Sequence, residues 1–261
     1  MKGFICAVRT LTIIPLPGKE AEDLSMALTW FPLVGVILGL ILYTTGRLWL
    51  LLPFSPWLTG GALLILLVQT WLTRGLHLDG LADWADSIGG FGREKRLAIM
   101  KDVSLGAFGV LALILAMIAK WLAFERLLAS GSMAWVLAIM AISRTMLVEL
   151  QIILPYARKD GKGMAGPFLK GASSRHRVVS HILTIAICLA FGPVGMGLFL
   201  FAWLITRLYG ARIRNQFGGV TGDLLGTANE IVEITLLIIC ALPGEALVCY
   251  TGWGWLYVIS R

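Results

Sequence analysis

Long apolar runs leave this chain little choice of fold. Residues 26–52, 57–76, 105–124, 133–154 and 227–242 are almost free of charge, and 178–209 is broken by Gly192-Pro193 into two shorter pieces. A helix rises about 1.5 Å per residue and a hydrocarbon core is about 30 Å thick, so each run is a candidate span. In lipid the backbone must satisfy its own hydrogen bonds, which for segments of this length means helices. The expectation is an all-α polytopic transmembrane helix bundle of about seven spans, within six to eight. A last apolar stretch, 246–260, is short and aromatic-rich; it is either an eighth span or an interfacial segment.

Composition agrees. The chain has 261 residues, 58% of them hydrophobic and only 14% charged, against about a quarter charged in soluble domains. Length allows one integral membrane domain, residues 1–261. Within it, 1–25 carries a short apolar run broken by Arg9, Pro15 and Pro17. With no small-residue cleavage site after it, this segment reads as interfacial or re-entrant and not as a signal peptide. Cys6, Cys188, Cys240 and Cys249 form no CxxC pair, so neither a disulfide framework nor a zinc site is expected.

Three polar stretches interrupt the oil: 73–110, 155–177 and 210–226. They follow spans two, four and six, which puts them all on the side of the N-terminus. Arg9, Lys19, Arg93, Lys95, Arg96, Lys101, Arg158, Lys159, Lys170 and Arg175 belong to that side. The opposite connections carry Arg126, with Arg47 and Lys120 near span ends. This asymmetry orients the polar loops to the cytoplasm of a cell (inner) membrane protein. It also explains the net charge of +7 without a nucleic-acid partner.

The first polar stretch holds Asp79, Asp83, Asp86, Glu94 and Asp102, a third of the chain's 15 acids. Asp79, Asp83 and Asp86 follow i, i+4, i+7 spacing and fall within a helical sector of about 60°. Three carboxylates on one face repel unless a cation lies between them, and hard oxygen ligands suit Mg²⁺, Mn²⁺ or Ca²⁺. A solvated acidic face is the simpler alternative. Against it stand the glycines around the acids and the basic run from Arg93 to Lys101, which supplies the phosphate-binding partner such a site commonly works with. His77 is a candidate base or ligand. If the helix already includes residues 76–79, His77 points about 160° away from Asp79.

The third stretch, GGVTGD, leads into Asp223, Glu230 and Glu233. Asp223 and Glu230 share a helix face; the simpler alternative is a glycine turn capping the next helix, with Asp223 near its N-terminus. Glu230 and Glu233 have no evident partner at the mouth of an apolar run, which is costly. Arg144 and Glu149 interrupt the fourth span; either Arg144 pairs structurally, with Glu149 or with an Asp, or these groups bind a ligand. Arg158 and Lys159 are candidate phosphate contacts or simple membrane-side anchors. His176 and His181 read as loop and helix-entry residues.

Three ordered blocks resemble one known family. GLHLDGLADWADSIGG followed by REKRLAIMKDVSLGAFGV, then ISRTMLVELQIILPYARKDGKG, then FGGVTGDLLGTANEIVE are similar to the cobalamin synthases, or adenosylcobinamide-GDP ribazoletransferases. The resemblance covers nearly the whole chain. It implies an Mg²⁺-dependent transferase that joins adenosylcobinamide-GDP to α-ribazole or its 5'-phosphate and releases GMP. The matching positions are His77, Asp79, Asp83, Asp86, Lys101, Asp102, Arg144, Arg158, Thr221, Asp223 and Glu230. Carried over with the residue reading, Asp79, Asp83 and Asp86 are the expected metal ligands and His77, Asp83 and Asp102 the expected catalytic groups. Lys101, Arg144, Arg158, Thr221, Asp223 and Glu230 are the expected substrate and phosphate contacts. Trp84 stands where a smaller or polar residue is expected. Self-association, or association with other enzymes of B12 assembly, is compatible with such a chain.

Two other readings share parts of this chemistry. A CDP-alcohol-type phosphotransferase also has a membrane-embedded Asp cluster, but its DG-x2-AR pattern is not reproduced, since Asp83 follows Ala82. An ion-coupled transporter would place its carboxylates near the bilayer midplane, whereas these acids lie in the polar stretches.

Overall fold

The computed structural model describes residues 1–53, 56–158 and 163–253. The regular elements among the described residues are all helices, with no β-strand; one isolated parallel bridge joins Tyr156 to Val220. Five helical segments are long and apolar enough to cross a membrane. They are the run from the 3₁₀ turn Leu24–Trp30 through α2 (Phe31–Trp49), then α6 (Ala107–Ala129), α7 (Trp135–Ile153), α10 (Pro193–Phe217) and α11 (Gly222–Ala241). The bent pair α3 (Leu58–Thr73) and α4 (Leu76–Ser87) makes a sixth only if its two helices are counted as one broken span. The chain is a multi-pass membrane protein.

The count falls below seven for a local reason. α9 (Ser174–Ala190) has 17 residues and opens on Ser-Arg-His-Arg, so its apolar part is short for a span. At the C-terminus α12 (Ala246–Cys249) is a single turn, and the rest of the expected last segment, 254–260, lies outside the described residues. The break at Gly192-Pro193 is present between α9 and α10. α10 runs on to Phe217, so the first half of the third polar stretch is helix, not loop.

α7 is the central helix. All but three of its 19 residues are buried, as expected for a helix apolar around most of its circumference. α2 packs on it most extensively, through Gly35 and Gly39. A Cβ at either glycine would strike the α7 backbone near Met140 and Leu137. Small residues four apart let two membrane helices approach closely enough for dispersion contacts to hold them.

At the polar end, α1 (Lys2–Leu11) buries Ile5, Cys6, Val8 and Leu11 and lies against the 3₁₀ turn. α5 (Arg93–Ile99) and α8 (Gly166–Lys170) are short connecting helices. Between α3 and α4 the axis turns by 87°. Arg74 (φ 55°) and Gly75 (φ 63°) are both left-handed there. For Arg74 this conformation is uncommon, and its guanidinium is anchored on the C-terminal end of α1, donating to the Arg9 carbonyl at 3.1 Å. The bend swings α4 and its aspartates across the start of α11.

Candidate active site

α4 seats itself on α11 through a glycine. A Cβ on Gly80 would meet the Asp223 carbonyl oxygen at 2.5 Å, so the two backbones touch. The Thr227 hydroxyl sits at that crossing, 2.9 Å from the Gly80 carbonyl and 2.8 Å from that of Asp223. Asp223, in the first turn of α11, is thereby held beside α4.

The second and third polar stretches are tied at the backbone. Ala157 N–H donates to the Val220 carbonyl at 2.8 Å, and Val220 N–H to the Pro155 carbonyl at 2.9 Å. This bridge places Arg158 next to Asp223, and its guanidinium donates to Asp223 Oδ2 at 2.8 Å. Thr221 caps α11, accepting from Leu224 N–H at 3.2 Å and reaching Asp223 Oδ2 at 3.3 Å. Arg93, from the first stretch, donates to the Ala157 carbonyl at 2.9 Å and lies over Gly218. All three polar stretches meet here.

Four carboxylates and one guanidinium result. Asp83, half-buried, is within electrostatic reach of Asp223, Asp79, Asp86 and Arg158. Asp79 is exposed and lines a cavity together with His77, Arg158 and Asp223. The Arg158 Nε–H is buried and has no hydrogen-bond partner among the described residues, which leaves a donor for an anionic oxygen.

The acids of the expected triad take different positions. Asp86 is turned to α6, where its two oxygens accept the backbone N–H groups of Gly106 at 2.7 Å and Gly109 at 2.8 Å. It satisfies two otherwise orphaned donors of that helix start. Among the described residues no three His, Cys, Asp or Glu side chains converge as a ready metal cage. α4 is helical from Leu76, so His77 turns inward. It is buried, its backbone lies against Gly226 of α11, and it lines the same cavity as the exposed Asp79.

Arg144 and Glu230, expected at the phosphate, are engaged inside the bundle instead. Glu230 pairs with Lys120 of α6 at 2.6 Å, and Lys120 also reaches Glu233 at 2.7 Å. Arg144 pairs with Glu233, which also accepts from Gln69 and, at 3.3 Å, from Asn229. All four charged groups are buried. Among the described residues Arg144 therefore pairs neither with Glu149 nor with an Asp. Glu149 faces His181 at 3.4 Å and Arg207 at 3.3 Å. Lys120 is not near a span end, because α6 continues to Ala129, about two and a half turns beyond it.

Lys101 and Asp102 are exposed on the turn between α5 and α6. The Ser104 N–H, 3.0 Å from Asp102, holds that carboxyl below the ordinary carboxylate range. Lys159 lies outside the described residues. Trp84 is half-buried and meets the Tyr209 ring edge-on at 6.3 Å.

Residues 3–241 match the family model described as cobalamin-5-phosphate synthase. The chain belongs to that family. It is 42% identical to the adenosylcobinamide-GDP ribazoletransferase of Chlorobium phaeobacteroides (strain BS1), over 91% of this chain and 96% of the relative. It is 41% identical to the protein of that name from Chlorobium chlorochromatii (strain CaD3), over 92% and 96%. For that of Syntrophobacter fumaroxidans (strain DSM 10017 / MPOB) the values are 38%, 90% and 96%. No solved structure matches the chain.

In this member of the family, sequence reasoning missed the cavity wall itself: Thr10, Phe31, Gln151 and Phe168. They come from α1, α2, α7 and α8, and single residues spread over four such segments carry no signal of what they will enclose together. Thr227 was equally silent, because only the α4–α11 crossing gives its hydroxyl a task. Lys120 could have been found by asking which buried cation neutralises Glu230 and Glu233.

Proposed function

We propose that this transferase joins adenosylcobinamide-GDP to α-ribazole, or to α-ribazole 5'-phosphate, giving adenosylcobalamin or its 5'-phosphate and GMP. The observation that carries the reading is the gathering of Asp79 and Asp223 with Arg158 at one cavity, with Asp83 within electrostatic reach of all three, in a chain related over 91% of its length to a protein of that name.

A ribose hydroxyl of the acceptor forms the new P–O bond at the phosphate on the corrinoid side. The P–O bond to GMP breaks, GMP takes the bonding pair, and the hydroxyl proton passes to a carboxylate of the cluster. Such transfers ask for positioning and charge neutralisation more than for covalent chemistry. The open Nε–H of Arg158 is suited to a phosphate oxygen, while its bond to Asp223 fixes the guanidinium plane. Lys101, exposed at the same end, adds positive charge beside Asp102.

The donor set fits Mg²⁺. Mg²⁺ is commonly held by one or two carboxylates plus substrate phosphates, without an all-protein cage. Asp79 and Asp83 would hold it, with Asp223 close by. When bound it supplies charge neutralisation for the diphosphate. We place the polar end in the cytoplasm and the chain in the inner membrane, on the strength of the Lys and Arg asymmetry.

Purified protein in detergent with Mg²⁺, adenosylcobinamide-GDP and α-ribazole should release GMP only when all components are present. No GMP above a protein-free control would remove this function. Cysteine labelling at Ser173 and Asn215 in a cysteine-free background should report the same side as a label near Lys2; opposite sides would undo the convergence of the loops.

A further inference from the structure

Two cavities meet at Asp79. One, of about 140 Å³, is half enclosed between α1, α2, α4, α7, α8 and α11, with Phe31, Leu147, Gln151 and Phe168 in its wall. The other, of about 740 Å³, is open and lies between α4 and α6, lined by Arg74, Leu78, Leu113 and Met117. Leu76, Asp79 and Met164 line both, so they form the partition.

The geometry points to a division of the two substrates across Asp79: the aromatic base of the acceptor nucleoside in the small cavity, the nucleotide-linked corrinoid in the open groove. The assignment rests on the ribazoletransferase reading. Size decides it first. A flat fused-ring base suits a small half-closed space, whereas a corrinoid macrocycle, several times larger, fits only a groove open to its surroundings. The lining agrees. Phe31 and Phe168 face the small cavity with ring centroids 6.3 Å apart; they are buried and offer apolar faces to an aromatic ring. The buried Gln151 is a polar group in the same wall. The open groove instead carries Arg74, exposed and tethered to α1, a cation at the rim where a diphosphate would enter.

The partition also suits the displacement. Attacking and leaving oxygens stand roughly in line on opposite faces of phosphorus. A hydroxyl arriving from the small cavity meets a phosphate held at Asp79 from one face, and GMP departs from the other face into the open groove. Asp79 is the residue both substrates touch.

The test is a double dissociation of Michaelis constants, with kcat recorded separately. Ala165→Leu fills the small cavity from its wall, where Ala165 is buried, and Leu113→Trp fills the groove. Ala165→Leu should raise KM for α-ribazole about tenfold or more and leave KM for adenosylcobinamide-GDP within about twofold; Leu113→Trp should do the reverse. Phe168→Ala, which enlarges the small cavity, should also act on α-ribazole alone. Direct binding of α-ribazole without corrinoid, followed by its own fluorescence, should be weakened by Ala165→Leu and not by Leu113→Trp. The reverse pattern, or both constants rising together in each variant, overturns the assignment. Failure of the unaltered protein to release GMP would instead sink the function, and the binding measurement would still judge the cavity.

Discussion

Two clusters of the same side-chain types lie along α11, one at its start and one in its interior, and the chain uses them in opposite ways. Inside, Glu230 and Glu233 face Lys120 and Arg144, two carboxylates against two cations, with Gln69 and Asn229 filling further hydrogen-bonding positions. At the polar end Asp79, Asp83 and Asp223, with Asp86 turned to the start of α6, have one described ion-pair partner among them, Arg158, which pairs with Asp223. The inner cluster is closed on itself and leaves no charge for a ligand. The outer one keeps an excess of negative charge beside a cavity, stable only with an added cation or with solvent. Charge balance, more than residue type, separates structural from chemical use here.

The inner cluster is where substitution should cost most stability. Glu233→Gln removes the carboxylate shared by Lys120 and Arg144 and leaves two buried cations with one anion. Breaking a buried pair costs about 3–5 kcal/mol, so the detergent-solubilised protein should unfold many degrees lower or fail to accumulate. An unchanged melting temperature would mean that the network is not what holds α6, α7 and α11 together.

Asp83→Asn should show the opposite signature. It keeps shape and removes one charge from a crowded cluster, so unfolding temperature should hold or rise while turnover falls about 10²- to 10³-fold, or about 3–4 kcal/mol of transition-state stabilisation. Normal turnover with normal Mg²⁺ dependence would take the chemistry away from this face.

Asp86 lies between the two cases, since its oxygens cap α6. Asp86→Asn retains one acceptor and loses the charge at the helix start, worth about 1 kcal/mol. A modest drop in melting temperature with a comparably modest loss of turnover is expected. A loss as deep as that of Asp83→Asn would show that Asp86 also serves the reaction directly.

The smallest effect is expected at His77. It is buried, with its backbone against Gly226, while Asp79 is exposed. His77→Gln should cost a few-fold in turnover with an unchanged pH profile; a loss of about 10²-fold with an altered profile would make it the base.

Class and chemistry were legible in the amino-acid order. Apolar runs of span length dictate a helical bundle because lipid offers the backbone no hydrogen bonds. The i, i+4, i+7 aspartates mark an acidic helix face because helical periodicity is local. The Gly192-Pro193 break was readable for the same reason: both residues act on their own backbone.

What needed the tertiary structure is every fact that depends on a partner far along the chain. Nothing near Glu233 announces Lys120 or Arg144, 113 and 89 positions earlier, yet they turn an apparent ligand site into a sealed ion network. Nothing near Asp86 announces Gly106 and Gly109. The Tyr156–Val220 bridge sets Arg158 on Asp223, and the 87° bend lays α4 across α11. Sequence determines which groups are available, because charge and periodicity belong to the residue and its neighbours. Only the packed bundle decides which of those charges are neutralised internally and which remain to act, because electrostatic balance is settled by distance in space.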